Sequence, residues 1–237
     1  RAALSGFWNV SGYCQPVLKR YNLWPMTKRF ILVAGNIGVG KTSLTERLGS
    51  RLGWATGYES VADNPYLADF YADMRQWSFH LQVFFLGHRA QQHLLLAHSP
   101  QSAIVDRSIY EDAHIFARVL HHMSNLNERD YQSYRNVFEL VVANLPRPDL
   151  LIYLTAPVPV LIERIRQRAR PIEAGITAEY LALLDTFYEE WLETFDLCPV
   201  LTIRTQQLDF VHEARHLDTV IDHIEATLAG RDELVLS

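Results

Sequence analysis

A glycine-rich stretch between an apolar run and a helical pattern has the composition of a phosphate-binding loop. The pattern G-x-x-x-x-G-K-[ST], with one further serine, is matched by Gly35, Asn36, Ile37, Gly38, Val39, Gly40, Lys41, Thr42 and Ser43. Glycines let successive backbone N–H groups point at phosphate oxygens, and the following helix directs its positive end at the same anion. This P-loop predicts ATP binding, with Lys41 on the β- and γ-phosphates and the Thr42 hydroxyl on Mg²⁺. The alternative is a glycine-rich turn without a ligand.

Five short apolar runs alternate with helical patterns along the chain. They cover residues 30–34, 55–58, 103–105, 150–154 and 200–203. Such alternation predicts an α/β protein with a P-loop kinase fold, in which a five-stranded, doubly wound parallel sheet carries helices on both faces. Residues 66–98 are predicted to be helical, and a long amphipathic helix is predicted from the cap Thr177 to Phe195.

Ligands of such sheets bind beyond the carboxyl ends of the strands, so acidic residues directly after the runs are candidates for chemistry. Glu59 follows the second run, and Asp106 and Arg107 follow the third. Asp106 is predicted to contact the nucleotide-bound Mg²⁺, with a turn-capping acid as the alternative. Ser108 and Glu111 have the S-x-x-E spacing of a capping box, so the preferred role of Ser108 is to start a helix.

Two pairs of residues could line a nucleobase pocket. Gln82 and Arg89 are seven residues apart and project from one face of a helix, and Asp112 and Phe116 share a face of the next helix. An amide, a guanidinium, a carboxylate and a ring suit the polar edge and the flat face of a base. A purely structural salt bridge between Arg89 and Asp112 is an equal alternative.

An arginine cluster precedes Pro171, which is expected to stop its helix. The cluster consists of Arg164, Arg166, Arg168 and Arg170. In a nucleotide enzyme, such a group suits a mobile lid that stabilises a transferring phosphoryl group. A solvated basic helix is the alternative.

The composition of the 237 residues indicates one soluble α/β domain. A net charge of −5 gives no general basic surface for nucleic acid, and no apolar run approaches the ~18 residues of a membrane span. Two distant cysteines favour a reducing compartment, so a cytoplasmic location is expected. Residues 1–25 are expected to be a disordered or cloning-derived extension, with a transit peptide as the alternative, and residues 26–237 the kinase domain.

Together these motifs resemble the deoxyribonucleoside kinase family, from about Lys28 to near Leu228. The resemblance is carried by the P-loop, by segments 59–67, 77–82 and 168–173, and by Asp-Arg-Ser at residues 106–108. Asp-Arg-Ser and Asp-Asn-Pro-Tyr-Leu at 63–67 are similar to the bacterial deoxyadenosine and deoxyguanosine kinase-like branch. Two departures are Ser60, where proline is common, and Ala169, where glycine is usual between the lid arginines.

The resemblance implies ATP-dependent 5′-phosphorylation of deoxyribonucleosides in nucleotide salvage, with Mg²⁺ and a helix-mediated homodimer. By position, Glu59 matches the general base and Arg107 the arginine that holds the 5′-hydroxyl. The remaining matches are Asp106 as the Mg²⁺-associated acid, Tyr71 and Glu173 on the 3′-hydroxyl, Gln82, Arg89, Asp112 and Phe116 around the base, and Arg164, Arg168 and Arg170 on the lid. With Lys41, the arginines Arg168 and Arg170 are the predicted phosphoryl-transfer cations.

Two other functions remain as alternatives. A nucleoside monophosphate kinase shares the P-loop and an Asp-Arg motif, but it needs a basic pocket where this chain has Glu59. A non-catalytic relative would be expected to lose the base or Lys41. The sequence does not rank deoxyadenosine, deoxyguanosine and deoxycytidine, although it disfavours thymidine.

Overall fold

The computed structural model describes residues 27–58, 64–170, 173, 175–210 and 213–230. One sheet contains five parallel strands in the order β2-β3-β1-β4-β5. The strands are β1 Phe30–Gly35, β2 Ala55–Gly57, β3 Ala103–Asp106, β4 Leu150–Thr155 and β5 Val200–Arg204. The predicted fold class and its five strands are therefore confirmed. The extension proposed for residues 1–25 lies outside the described residues and stays a prediction.

The strand order places the P-loop next to the end of β3. The central strand β1 pairs with β3 on one side and β4 on the other, so that Val33 lies opposite Asp106 and Gly35 opposite Leu154. All six residues of β1 are buried, as expected for a strand covered on both faces. Because β1 ends where the strand order reverses, the loop after it lies at the switch point where such sheets bind ligands.

Nine α-helices and one π-helical segment lie within the described residues. They are α1 Lys41–Leu52, α2 Leu67–Ala72, α3 Met74–His98, α4 Ile109–Glu111, the π-helical segment Asp112–Ala117, α5 Arg118–His122, α6 Glu128–Val142, α7 Val158–Arg168, α8 Ala178–Thr194 and α9 Ala214–Leu228. The chain moves from β1 to β2 in one direction and then back through β3 to β5. Right-handed crossovers therefore place α1 on one face of the sheet and α3 to α8 on the other.

The helical segment predicted for residues 66–98 is interrupted. Asp73 separates α2 from α3, and its carboxylate accepts a hydrogen bond of 3.0 Å from the N–H of Gln76. An aspartate that satisfies a free N–H of the first turn is a strong N-cap, and it starts a new helix inside an otherwise helical pattern.

The lid helix α7 ends at Arg168, two residues before the predicted end at Arg170. Ala169 adopts the left-handed conformation (φ 50°, ψ 40°) and closes the helix with a bond from its N–H to the carbonyl of Ile165. The proline at 171 also disfavours helical backbone at residue 170. Only glycine adopts this conformation without a steric cost, which explains why the family that the chain resembles usually has glycine where this chain has Ala169.

The π-helical segment Asp112–Ala117 carries two of the predicted base-pocket residues and packs against α8. Within it, the ring of His114 stacks on Trp191 with centroids 6.0 Å apart. Burial, with smaller contributions from Arg135 and Arg118, lowers the pKa of His114 to about 4. This segment therefore contains a histidine that is neutral at physiological pH and fixed by stacking. A π-helical turn at such a place is a frequent feature of functional sites.

None of the helices in the described ranges combines the length and the apolar character needed to cross a membrane.

Candidate active site

The P-loop forms a closed turn around the ammonium group of Lys41. Its Nζ donates to the carbonyls of Gly35, at 2.6 Å, and Asn36, at 3.0 Å. Gly38 and Gly40 have φ angles of 82° and 107°, which favour glycine. At Gly38 an added Cβ would lie 2.9 Å from a side-chain carbon of α7, so only glycine fits the turn. The loop thus has the backbone shape that a phosphate cradle requires.

Thr42 and Asp106 meet at the carboxyl ends of two neighbouring strands. The Thr42 hydroxyl donates to the Asp106 carboxylate over 2.5 Å, and Asp106 is buried. A hydroxyl and a carboxylate side by side are oxygen ligands, which Mg²⁺ prefers, and this ion usually takes its other ligands from water and substrate phosphates. The two residues therefore fit the predicted metal site.

Asn36 attaches the P-loop to α8. Its side-chain amide donates to the carboxylate of Asp185, at 2.6 Å, and to the carbonyl of Leu181, at 2.9 Å. Its carbonyl oxygen accepts from the N–H of Ile37 at 2.7 Å. Burial raises the pKa of Asp185, and the bond from Asn36 opposes that shift. The side chain of Asn36 therefore shapes the loop and faces α8.

Of the four predicted base-pocket residues, Arg89 and Asp112 meet at the turn after β3. Arg89 and Asp112 form a buried ion pair with a distance of 3.1 Å, and both side chains are at most 3% exposed. Arg89 also donates from Nη1 to the carbonyls of Asp106 and Arg107, both at 3.2 Å. The side-chain oxygen of Gln82 is buried and has no hydrogen-bond partner among the described residues. The pair thus fixes the turn after β3, and the Gln82 oxygen remains an acceptor for a ligand.

Arg107 has a strained backbone and lies over the ring of Phe116. Its φ is 66°, uncommon for a residue other than glycine, and its guanidinium carbon is 4.1 Å from the ring centroid. Its N–H donates to the carbonyl of Val33 at 3.0 Å, which ties the turn to the central strand. Strained backbone of this kind clusters at functional sites, where neighbouring contacts hold it.

The residues predicted for the sugar are only partly described. Glu59 lies outside the described residues, so its role as general base stays a prediction. Tyr71 is 48% exposed. A third residue, Tyr180 at the start of α8, was not predicted. Burial raises the pKa of Tyr180 to about 12, Arg107 opposes this shift, and Tyr71 adds to it, so Tyr180 lies near both predicted residues.

In the lid region, the predicted sugar ligand Glu173 binds the predicted phosphate ligands. Its carboxylate accepts from Arg168 at 2.5 and 3.1 Å and lies 3.8 Å from Arg170. Arg164 is separate from them. Its guanidinium donates to the Val39 carbonyl at 3.2 Å and to two oxygens of Thr205 at 2.8 Å each, and burial lowers its pKa. Arg164 therefore joins the P-loop to the end of β5.

A cavity of about 700 Å³ opens between the P-loop, α7 and the segment after β5. Its lining includes Gly40, Ser43, Arg164, Asp209 and Phe210. An added Cβ on Gly40 would lie 3.3 Å from the ring of Phe210, so this ring covers the loop. Asp209 and Phe210 were missed by sequence reasoning, because no motif marks the segment after the last strand.

Glu111 was predicted only as the second half of a capping box. That box is confirmed, because Glu111 accepts from the N–H of Ser108 at 3.0 Å and its own N–H donates to the Ser108 hydroxyl. The same carboxyl group also reaches Gly35 of the P-loop and Tyr188 of α8. The spacing gave no signal for these contacts, which join three distant parts of the chain.

A P-loop at the switch point of a parallel sheet, with an acid beside its threonine, defines a P-loop phosphotransferase. A family profile for deoxynucleoside kinase matches residues 31–229. A deoxyadenosine/deoxycytidine kinase of Bacillus subtilis (strain 168) is 38% identical over 200 residues, which cover 84% of this chain and 92% of the relative. A deoxyguanosine kinase of the same organism is 34% identical over 203 residues, with 84% and 97% covered.

A solved structure described as deoxyadenosine kinase from M. mycoides with products dCMP and a flexible dCDP bound has a TM-score of 0.73 and 28% identity, and the match covers 83% of this chain and 99% of that chain. The chain belongs to the deoxynucleoside kinase family and is an enzyme that phosphorylates deoxynucleosides.

Proposed function

We propose that the protein transfers the γ-phosphoryl group of ATP to the 5′-hydroxyl of purine deoxynucleosides and deoxycytidine in nucleotide salvage. One observation carries this proposal. The P-loop lysine and the Thr42–Asp106 pair lie at the same sheet edge as the predicted acceptor residue Arg107, whose guanidinium lies over Phe116 and whose carbonyl accepts from Arg89. The turn after β3 belongs to both places, so a phosphate donor and a nucleoside acceptor bound there would be neighbours.

The P-loop and its cavity would hold ATP. The phosphates would be surrounded by Gly35, Asn36, Ile37, Gly38, Val39, Gly40, Lys41, Thr42 and Ser43, with Arg164 in the lining of the same cavity. Thr42 and Asp106 would hold Mg²⁺, which when bound neutralises charge on the β- and γ-phosphates.

In the acceptor site, Glu59 would act as the general base that takes the proton of the 5′-hydroxyl. Arg107 would hold both that hydroxyl and the Glu59 carboxylate. Lys41, Arg168 and Arg170 would neutralise the transferring group. Phe116 would stack on the nucleobase. The Glu173 carboxylate now bound by Arg168 would exchange this partner for the 3′-hydroxyl next to Tyr71, releasing both lid arginines for the phosphates.

The base preference follows from the donors and acceptors of the pocket. An ionised Asp112 only accepts hydrogen bonds, so it does not pair directly with the O4 acceptor of thymine, whereas adenine and cytosine offer an amino group. Guanine offers an acceptor for Arg89. Relatives named for deoxyadenosine, deoxycytidine and deoxyguanosine support this choice of substrates.

The direct test measures kcat/KM for the four natural deoxynucleosides with ATP and Mg²⁺. Thymidine is expected to be poorer by as much as about 10⁴-fold, because sites built around specific hydrogen bonds reject mismatched analogues. Thymidine used as efficiently as deoxyadenosine would show that Arg89 and Asp112 do not read the nucleobase.

A second test concerns the general base. Glu59→Gln should keep nucleoside binding while kcat falls about 10²–10⁴-fold, and a near-normal kcat would show that Glu59 is not the general base.

We also propose a homodimer formed through α3 and α6, which pack against each other. Large apolar side chains are exposed on both helices: Val83, Leu94 and Leu95 on α3, and Val137 and Leu140 on α6. Val83 and Leu94 are three helical turns apart and share a face. Sedimentation should give a dimer for the wild type and a monomer for Leu95→Glu with Leu140→Glu. A wild-type monomer at micromolar concentration would refute the proposal.

The net charge of −5 supports a protein without a nucleic-acid partner. We propose a cytoplasmic enzyme without a membrane partner, because two distant cysteines in 237 residues favour a reducing compartment and no apolar run in the sequence approaches the length of a membrane span.

A further inference from the structure

Glu111 is a fully buried carboxyl group at the junction of three elements. It is 0% exposed. One oxygen, Oε2, accepts from the N–H of Ser108 at 3.0 Å. The other, Oε1, lies 3.2 Å from the N–H of Gly35 and 2.7 Å from the hydroxyl of Tyr188. A capping box needs only the first oxygen, so the second is available to join the P-loop and α8 to the turn that carries Asp106.

The hydrogen bonds around Tyr188 contain one proton too few for an ionised Glu111. The Tyr188 hydroxyl is 2.8 Å from the Gly35 carbonyl and 2.7 Å from Oε1 of Glu111. It has one proton to donate, and both neighbours are acceptors when Glu111 is a carboxylate. A proton on Oε1 resolves this, because Glu111 then donates to Tyr188 and Tyr188 donates to Gly35. The long 3.2 Å contact with the Gly35 N–H suits a hydroxyl oxygen, which is a weak acceptor.

The charges near Glu111 act in both directions. Burial raises its pKa, while Lys41, Arg107 and the bonds from Tyr188 and the Ser108 N–H oppose that shift. Among the described titratable groups, Tyr153 on β4 also interacts with Glu111. Bound donor phosphates would compensate the positive charges of Lys41 and Arg107, so these cations would stabilise an ionised Glu111 less. An anionic carboxylate beside Gly35 would also repel the phosphates. Both effects favour the neutral acid during turnover.

We propose that Glu111 is a positioning residue that holds the P-loop, the Asp106–Arg107 turn and α8 together as a neutral carboxylic acid. The proposal rests on the deoxynucleoside kinase activity given above. It assigns no chemical step to Glu111, whose carboxyl hydrogen bonds go to Ser108, Gly35 and Tyr188. Instead, its hydrogen bonds fix the distance between the loop that binds phosphate and the turn that binds the acceptor.

An amide and an apolar substitution of Glu111 distinguish a requirement for a neutral acid from a requirement for a negative charge at this position. Glu111→Gln keeps an acceptor for Ser108 and a donor for Tyr188, although its second N–H faces the Gly35 amide. We expect kcat to fall about fivefold, the equivalent of one hydrogen bond. Glu111→Ala removes all these bonds and should lower kcat per folded molecule about 10²-fold, as expected when reactants are misplaced by about 1 Å. The exposed Glu193→Gln is the matched control and should leave kcat unchanged.

Tyr188→Phe gives an independent result if Glu111→Ala does not fold. It deletes the bridging hydroxyl alone and should lower kcat about tenfold, with circular dichroism reporting the folded fraction. The positioning role is wrong if either folded Glu111→Ala or Tyr188→Phe retains the wild-type kcat. The neutral acid is wrong if Glu111→Gln is as impaired as Glu111→Ala.

Infrared difference spectra of wild type against Glu111→Gln test protonation without an activity measurement. A carbonyl band of a protonated carboxylic acid that shifts in D₂O is expected, and a carboxylate band in its place overturns the assignment. An inactive wild-type enzyme would count against the kinase function, whereas this band would still report on Glu111.

Discussion

The buried pair of Arg89 and Asp112 allows stability and base preference to be tested with the same variants. Asp112→Ala leaves a guanidinium that is about 2% exposed without its carboxylate. Removing one partner of a buried ion pair typically costs about 3–5 kcal/mol, because the remaining charge is uncompensated. For a chain of this size, 4 kcal/mol corresponds to a decrease of roughly 8–16 °C in Tm.

The double variant Arg89→Met with Asp112→Ala removes both charges and should be more stable than Asp112→Ala. Arg89 also donates to the carbonyls of Asp106 and Arg107, and these lose a donor in the double variant. We therefore expect a residual loss of about 2–3 kcal/mol from the unsatisfied carbonyls.

Denaturant unfolding of the wild type, both single variants and the double variant gives the interaction energy, and kcat/KM for thymidine and deoxycytidine gives the preference. The ratio of thymidine to deoxycytidine efficiency should rise in the double variant. If the free energy of unfolding of Asp112→Ala lies within about 0.5 kcal/mol of the wild-type value, as for surface substitutions, the pair is not buried. An unchanged substrate ratio would show that the pair does not read the base.

Three further predictions concern other parts of the fold. The pKa of His114 is lowered from 6.5 to about 4, so the unfolded chain binds more protons and stability should fall by about 3 kcal/mol between pH 6.5 and 4. His114→Phe should flatten this dependence in unfolding curves recorded against pH, whereas the exposed His98→Phe should not. Ala169→Gly should raise the free energy of unfolding by about 1 kcal/mol by relieving the left-handed alanine, and an unchanged or lower Tm would contradict this. Gly38→Ala places a Cβ 2.9 Å from Ile165 and should raise the KM for ATP several-fold at a cost of about 1–3 kcal/mol, and a wild-type KM would argue against the cradle.

The sequence could predict the sheet and the phosphate loop, because both depend on local signals. Apolar runs mark the strands, of which β1 and β3 are buried along their whole length, and the spacing of the P-loop glycines is set by the backbone of the loop. The closeness of Asp106 to Thr42 also followed, since parallel strands end at one edge of the sheet. The observed hydrogen bond between their side chains confirms that closeness, while the metal-binding role stays a prediction.

Interactions between distant segments could not be predicted in this way. Glu111 and Tyr188 are 77 residues apart, and nothing local shows that α8 passes the start of the P-loop. The break at Asp73 was missed because its capping bond competes with helical periodicity that continues on both sides. The position of Arg164 depends on Thr205 at the end of β5, a contact that only the folded sheet creates.

The base pocket and the phosphate site share one backbone turn, and this limits how far specificity can be changed. Arg107 has a φ of 66°, a conformation that costs about 1–2 kcal/mol for a residue with a side chain. The turn is held at both ends, by the bond from the Arg107 N–H to Val33 and by the bond from Arg89 to the Arg107 carbonyl. Loss of Arg89 releases the second end, so Arg89→Met should lower kcat for every substrate, whereas Asp112→Ala leaves that bond in place. A substitution at position 112 should therefore allow thymidine to be used with a smaller loss of kcat than a substitution at position 89.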